Sequence, residues 1–230
     1  VKGFQRHAPQ RFSHDEMRAR LADFEQSLES RRSVRNFSSD PVPMDIIESA
    51  IRIASSAPSG AHKQPWTFCV VTDPVLKSAI RKAAEAEERI SYGGRMSKRW
   101  LDDLKFVGTD HNKPFIEDAP ALIIVFKRVF EWVDGEGADR QKAPNYYVPE
   151  SVGIATGFLL VALQQAGLSA LTHTPSPMNF LGELLRRPDN ERAFLNIPVG
   201  WPAEGAEVPI IHRKSMDTVL AQYSEIDNEK

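Results

Sequence analysis

The stretch "SVGIATGFLLVALQQAG", residues 151–167, decides what kind of fold this chain can build. It is the longest apolar segment, but its continuous apolar part at Leu159–Leu163 is short. Thr156 and small residues interrupt the approach, and Gln164 and Gln165 end the run. A membrane-spanning helix needs about 20 consecutive apolar residues. The stretch therefore predicts a buried helix, with Pro149 and Glu150 in its first turn and Gly167 at its C-terminal cap. A helix apolar over so much of its circumference has to lie under a sheet or inside a dimer.

Outward from this helix the chain alternates apolar strand patterns with helical ones. Strands are expected at "WTFCVVT" (66–72), "ALIIVFK" (121–127) and "LSALTHT" (168–174). A fourth, "LNIPVGWP" (195–202), is interrupted by Pro198 and is expected to be short and to lie at an edge or bend. Met17, Leu21, Phe24 and Leu28 make residues 14–30 an amphipathic helix. Pro43 and Asp45 open another that buries Ile47, Ala50, Ile51 and Ala54, and Asp73 and Pro74 start a third that runs through "RKAAEAEERISY". This order predicts an α+β fold with a mixed central sheet flanked by helices. No repeat or Gly/Ser linker divides the chain, so residues 1–230 read as one domain, with 1–30 as an N-terminal arm and helix.

Composition removes several functions. The 31 acidic and 29 basic side chains nearly cancel, which gives no overall field for nucleic acid or anionic membrane. Cys69 is the single cysteine and reads as a small buried hydrophobe, pointing to a reducing, cytoplasmic setting. The six histidines lack metal-ligand spacing, so no metal is expected, and the four tryptophans read as packing residues. The opening "VKGFQRHAPQ" has neither an initiator Met nor an apolar signal core and reads as the start of a trimmed chain, which leaves an anchor upstream open.

Three motifs carry chemistry. "RRSVRNF" gathers Arg31, Arg32 and Arg35 around Ser33, which fits either a solvated basic turn or an anion site of phosphate type. There is no Walker loop and no G-x-G-x-x-G after a strand, so any phosphate would be held by side chains. "APSGAHKQPW" puts Pro58, Ser59, Gly60 and Ala61 between a helix and a strand, as an ordinary turn or as backbone thin enough to approach a flat ligand. "EERISY" places Glu88 and Tyr92 four residues apart, on one helix face.

Taken in order with "EERISYGGRMSKRW", "THTPSP" and "IIHRKSMD", these motifs resemble the iodotyrosine deiodinase branch of the FMN-dependent nitroreductase superfamily over roughly residues 12–220. The resemblance implies an intertwined homodimer of nitroreductase-like fold, with FMN held by Arg31, Arg32, Ser33, Arg35 and Arg213. Pro58, Ser59, Gly60, Thr172, His173 and Thr174 would lie at the flavin. The Ala61 N–H would donate to the substrate phenolate, and the Thr174 hydroxyl to flavin N5, favouring one-electron semiquinone chemistry. Where the family often has a further Thr, this chain has His173, a backbone-level neighbour of the flavin. Glu88, Tyr92 and Lys113 would clamp the amino acid zwitterion under a lid at residues 88–114. "GG" at Gly93 and Gly94 and "GTDHN" before Lys113 depart from the family pattern.

The activity so implied is reductive dehalogenation of halotyrosine, with NAD(P)H as ultimate electron donor, directly or through a partner reductase. A nitroaromatic or quinone reductase of the same fold, and a flavin-binding protein without useful turnover, are the alternatives.

Overall fold

The computed structural model describes residues 3–133, 135 and 140–223. Its elements run α1 (His14–Glu29), α2 (Met44–Ala54), β1 (Trp66–Val71), α3 (Pro74–Ile90), α4 (Lys98–Phe106), α5 (Phe115–Asp118), β2 (Ala121–Arg128), β3 (Phe130–Val133), β4 (Gln141–Pro144), α6 (Val148–Gln165), β5 (Ser169–Ala170), α7 (Asn179–Leu184), β6 (Glu191–Gly200) and α8 (Met216–Val219). Local chemistry fixes several of the starts. Ser13 accepts from the Glu16 N–H at 3.2 Å, Asp73 from the Leu76 N–H at 2.7 Å, and Ser97 from the Trp100 N–H at 3.3 Å, each satisfying a donor that the first helical turn leaves free.

The main sheet has the order β1-β2-β6-β5, and a separate hairpin pairs β3 with β4. Side chains alternate between faces along a strand, so β2 serves two cores at once. Ile123 and Val125 pack with Ile197, Val199, α2 and the α6 residues Val152, Ala155, Leu159 and Leu163. On the other face Leu122, Ile124 and Phe126 pack with Ile80 and Ala84 of α3, Phe115 and Ile116 of α5, and Leu181 of α7. Residues 151–165 thus fall in a helix covering the sheet, and Gly167 follows it in a left-handed turn. Truncating its fully buried Leu159 to Ala would cost about 2–5 kcal/mol.

Three sequence expectations are corrected. The pairs among the named main-sheet strands are all antiparallel, and the parallel component is one isolated bridge, Ser33 to Ala170. The strand containing Pro198 is neither short nor peripheral, since β6 is ten residues long and lies between β2 and β5. In an antiparallel strand the N–H and C=O of one residue point to the same neighbour. The Pro198 carbonyl accepts from the Leu171 N–H at 3.2 Å, so the missing donor faces the β5 side and the ladder to β2 is left whole. The same gap helps explain why the strand expected over 168–174 is reduced to Ser169–Ala170, followed by a single bridge between His173 and Asn196.

The α1 helix forms as expected but buries none of its residues within the chain. Met17, Leu21 and Phe24 are exposed, and α1 is tied to α6 by polar contacts, Gln164 Nε2 to the Ser27 carbonyl at 3.1 Å and Gln165 Nε2 to Ser27 Oγ at 2.9 Å. Ile154 and Phe158 of α6 are exposed too. Cys69 is half-buried, and burial pushes its thiol up. Trp66 is buried, but Trp100 and Trp201 are exposed, so the packing role expected of all four tryptophans does not hold for these two. No helix among the described residues is long and apolar enough to cross a membrane.

Candidate functional site

The last turns of α3 carry Glu85 and Glu88, and the chain continues through one π turn, Ser91–Arg95, before α4. Tyr92, one turn after Glu88, and Trp100 and Leu104 of α4 line one side of a cavity of about 160 Å³. Arg35, Lys113, Thr172 and Thr174 contribute to its other walls. Within the segment expected as a lid, Lys98–Phe106 form α4 beside the cavity, and none of the α4 residues is buried.

Glu88 is the centre of the cluster. Its Oε2 lies 3.8 Å from Lys113 Nζ and its Oε1 3.3 Å from His173 Nε2, and all three side chains are more than nine-tenths buried. Lys113 Nζ also donates to Thr109 Oγ1 at 3.2 Å and to the Asp110 carbonyl, and stands 5.5 Å from the centre of the Tyr92 ring. The Tyr92 hydroxyl donates to the Thr109 carbonyl at 3.3 Å. Gly108 has φ +66°, a left-handed turn that suits glycine, and it delivers Thr109 to these contacts just past the end of α4. The Lys113 N–H is anchored on Glu85 Oε1 at 2.9 Å, while Arg81 holds the same carboxylate at 2.7 Å.

Burial governs how these groups titrate. It pushes Lys113 below the ordinary lysine value, against the pull of Glu88 and Asp110. It raises Tyr92, and Glu88 adds to the effect, so the phenol stays protonated. It lowers His173, against the hydrogen bond to Glu88. The phenol and the imidazole are thus both biased toward their neutral forms.

A second region gathers arginines. The segment around Ser33 runs beside β5, with the Val34 N–H donating to the Ala170 carbonyl at 3.3 Å. Burial lowers Arg31, and the nearby charges of Arg213 and Arg32 lower it further. Arg32 donates to the Pro209 carbonyl, tying the segment to the C-terminal stretch. None of Arg31, Arg32, Arg35 or Arg213 forms an ion pair among the described residues. Arg35, lowered by burial, stands between this edge and the cavity. Unpaired guanidinium groups next to exposed hydroxyls at Thr172 and Thr174 fit a phosphorylated, hydrogen-bonding cofactor such as FMN.

The loop containing Ala61 lies in a third place. Gly60–His62 forms a 3-10 turn in which Ala61 has φ 48° and His62 φ 56°. A Cβ on Gly60 would come 2.8 Å from the Tyr146 carbonyl oxygen, so only glycine fits there. The Gly60 N–H donates to Ser151 Oγ at 3.3 Å, which seats the loop on the start of α6. Within one chain the structure brings Arg35, Glu88, Tyr92, Lys113, Thr172, His173 and Thr174 to one cavity, but does not bring Pro58, Ser59, Gly60 or Ala61 to its lining.

Sequence reasoning missed Thr109, Asp110 and the contact of His173 with Glu88. The strand-like alternation of exposed Thr172 and Thr174 with buried His173 was a usable signal for the last, because it sets the imidazole on the face opposite the two hydroxyls. Thr109 and Asp110 fall within "GTDHN", the stretch that departs from the family pattern, and nothing local marks them as partners of Lys113.

Comparison with known proteins bears on this geometry. A sequence profile described as Nitroreductase family matches residues 28–201. The iodotyrosine deiodinase of Haliscomenobacter hydrossis is 55% identical over 217 residues, 94% of this chain and 96% of that protein. Iodotyrosine deiodinase 1 of Rattus norvegicus is 46% identical over 213 residues, 91% of this chain and 73% of the rat protein. A crystal structure of oxidized iodotyrosine deiodinase bound to FMN and 3-iodo-L-tyrosine superposes with TM-score 0.71 at 27% identity, covering 88% of this chain and 100% of that one.

Proposed function

This chain belongs to the nitroreductase family, and from that premise we propose that it is an FMN-dependent enzyme that removes halogen reductively from halotyrosines, converting 3-iodotyrosine to tyrosine and iodide. The observation that carries the reading is the buried Glu88 and Lys113 beside half-buried Tyr92 at a small cavity, whose charges complement an amino acid zwitterion. The reaction breaks the carbon–halogen bond and forms a carbon–hydrogen bond. It consumes two electrons and one proton and releases halide.

FMN, when bound, supplies the two electrons and is recharged from NAD(P)H, directly or through a reductase. Arg31, Arg32, Arg35, Ser33 and Arg213 would hold its phosphorylated end, Thr172, His173 and Thr174 would line its ring system, and the Thr174 hydroxyl would be the donor to it. The roles of the protein side chains follow from their charge. In the structure Glu88 and Lys113 face each other at 3.8 Å. A zwitterion entering between them exchanges that pair for two others, its ammonium meeting Glu88 and its carboxylate meeting Lys113, so neither buried charge is left alone. Tyr92, kept protonated, packs on the substrate and donates a hydrogen bond. The Met96–Leu104 wall limits water at the reacting carbon.

An ortho halogen acidifies the phenol below its usual pKa of about 10. The resulting phenolate is met by the Ala61 N–H, presented on a loop whose glycine neighbour allows close approach. Because that loop and the clamp lie apart in one chain, a homodimer that buries the exposed apolar residues of α1 and α6 completes each site from two copies. Pro58, Ser59 and Gly60 then belong to the flavin wall. The lone half-buried thiol is compatible with a cytoplasmic setting.

Purified protein should be yellow, release FMN on denaturation, sediment as a dimer and deiodinate 3-iodotyrosine when reduced with dithionite. It should use ortho-iodophenol, which lacks the zwitterion, far less efficiently. Equal efficiency with the two substrates would remove the clamp and favour a general nitroaromatic reductase. Binding of FMN without any turnover would leave a flavin-binding protein.

A further inference from the structure

His173 is the buried side chain of this site for which the proposed chemistry has no use beyond its backbone. Its Nε2 lies 3.3 Å from Glu88 Oε1, an interaction spanning 85 positions of sequence. Phe115 packs edge-on against the ring at 5.3 Å, which limits its rotation. The backbone of His173 exchanges both hydrogen bonds with Asn196 on β6, at 2.8 and 2.9 Å. Residues paired in this way across antiparallel strands put their side chains on the same face. Asn196 is fully buried, and its Nδ2, its Oδ1 and the Nδ1 of His173 have no partners among the described residues. Two adjacent buried polar groups on one face, each lacking what the other offers, are costly unless they serve a third group.

We infer that Asn196 and His173 form a buried relay that orients Glu88 for the substrate ammonium, and that His173 is thereby a specificity-determining positioning residue. The inference rests on the halotyrosine reading of the cavity. The Asn196 amide and Nδ1 share a face without being hydrogen-bonded in the structure, and a rotation of the amide that let it donate to Nδ1 would fix the imidazole with its proton on Nε2. That proton is donated to Glu88 Oε1 and leaves Oε2 to face Lys113 or the incoming ammonium. A neutral imidazole orients the carboxylate without cancelling its charge, whereas a protonated one pairs with it and competes with the substrate. The charged and titratable groups facing His173 are Glu88 from α3, Lys113 and Arg35, with Tyr92 on the same cavity wall. Burial and the two cations keep the imidazole neutral to lower pH than usual, against the pull of Glu88. Since His173 immediately precedes Thr174, the relay also joins the ammonium end of the site to the strand segment that carries the flavin-facing hydroxyl.

The test uses FMN-loaded protein and reads 3-iodotyrosine affinity from flavin fluorescence, together with KM and kcat. His173→Leu, assayed at saturating FMN, should weaken iodotyrosine binding and raise KM for iodotyrosine at least tenfold more than KM for ortho-iodophenol. His173→Gln, which keeps an N–H donor at the same reach, should recover most of that loss. Wild-type affinity should fall as pH drops through the depressed range of His173, and the glutamine variant should lack this component. Asn196→Leu should raise KM severalfold, and nitrogen NMR of its imidazole should show loss of the Nε2–H tautomer. Unchanged iodotyrosine affinity in the leucine variant overturns the relay, as does a glutamine variant with the wild-type pH profile, which remains decisive if the leucine variant does not fold. Failure of the wild-type holoenzyme to bind or turn over iodotyrosine overturns the proposed function itself.

Discussion

The clamp and the arginine edge are both charged, both close to β5, and built on opposite electrostatic plans. In the clamp, buried Glu88 and Lys113 already neutralise each other. At the edge, burial and the charges of Arg213 and Arg32 lower Arg31, and none of the three arginines forms an ion pair among the described residues. A ligand entering the clamp exchanges partners, and its gain is selectivity for a molecule that carries both charges at the right separation. A ligand entering the edge relieves repulsion, and its gain is affinity for an anion. The clamp is screened from salt by burial, and the edge is open to it.

The largest test of this contrast is Glu88→Gln. It leaves Lys113 buried without its counter-charge and removes the partner of the substrate ammonium. KM for iodotyrosine should rise by about 10–150-fold, corresponding to about 1.5–3 kcal/mol for hydrogen bonds to a charged group. Ortho-iodophenol turnover should barely change, and a parallel loss with both substrates would show that Glu88 supports the fold and does not read the amino acid.

A second, smaller effect is set by pH. Lys113 is displaced below the ordinary lysine range, mainly by burial. Its attraction for a substrate carboxylate is complete below that lowered pKa and is lost as pH rises through it, by at most about tenfold per pH unit. Lys113→Arg keeps its charge throughout and should move the alkaline rise in KM upward. Superimposable KM profiles would place the carboxylate elsewhere.

The smallest effect is expected at the edge. Arg213 is exposed, so Arg213→Ala should weaken FMN by about 1 kcal/mol, roughly fivefold, in fluorescence titration. FMN affinity should fall with added salt in wild type and less steeply in the variant, while iodotyrosine affinity of the holoenzyme changes little. Equal salt sensitivity of the two ligands would erase the difference between the regions.

Much of this arrangement is legible locally. Glu88 and Tyr92 share a face because a helix repeats every 3.6 residues, and the basic edge is visible as three arginines within five positions. Other parts are not. The partners of Lys113 at Thr109 and Asp110 depend on how the chain turns at Gly108, and the separation of Ala61 from Glu88 depends on which helix each loop packs against. The period of a strand would have turned His173 away from Thr172 and Thr174, but no local rule says that α3 brings Glu88 above it.

By itself the sequence determined where α3 begins, through Asp73 and Pro74, and that the apolar run within residues 151–167 lies in a helix too short to cross a bilayer. It also determined that residues 121–127 are apolar enough to be covered on both faces. These follow from hydrogen-bonding and burial needs of consecutive residues, which act whatever the rest of the chain does. Only the tertiary structure decided that the strand with Pro198 is central, that the parallel pairing expected in the sheet shrinks to one bridge, and that Glu88 meets His173 and Lys113. Those outcomes depend on which surfaces meet when two cores close over a single sheet. A missing N–H is harmless beside a strand that ends, and a buried carboxylate is tolerated where distant segments bring it counter-charges and donors.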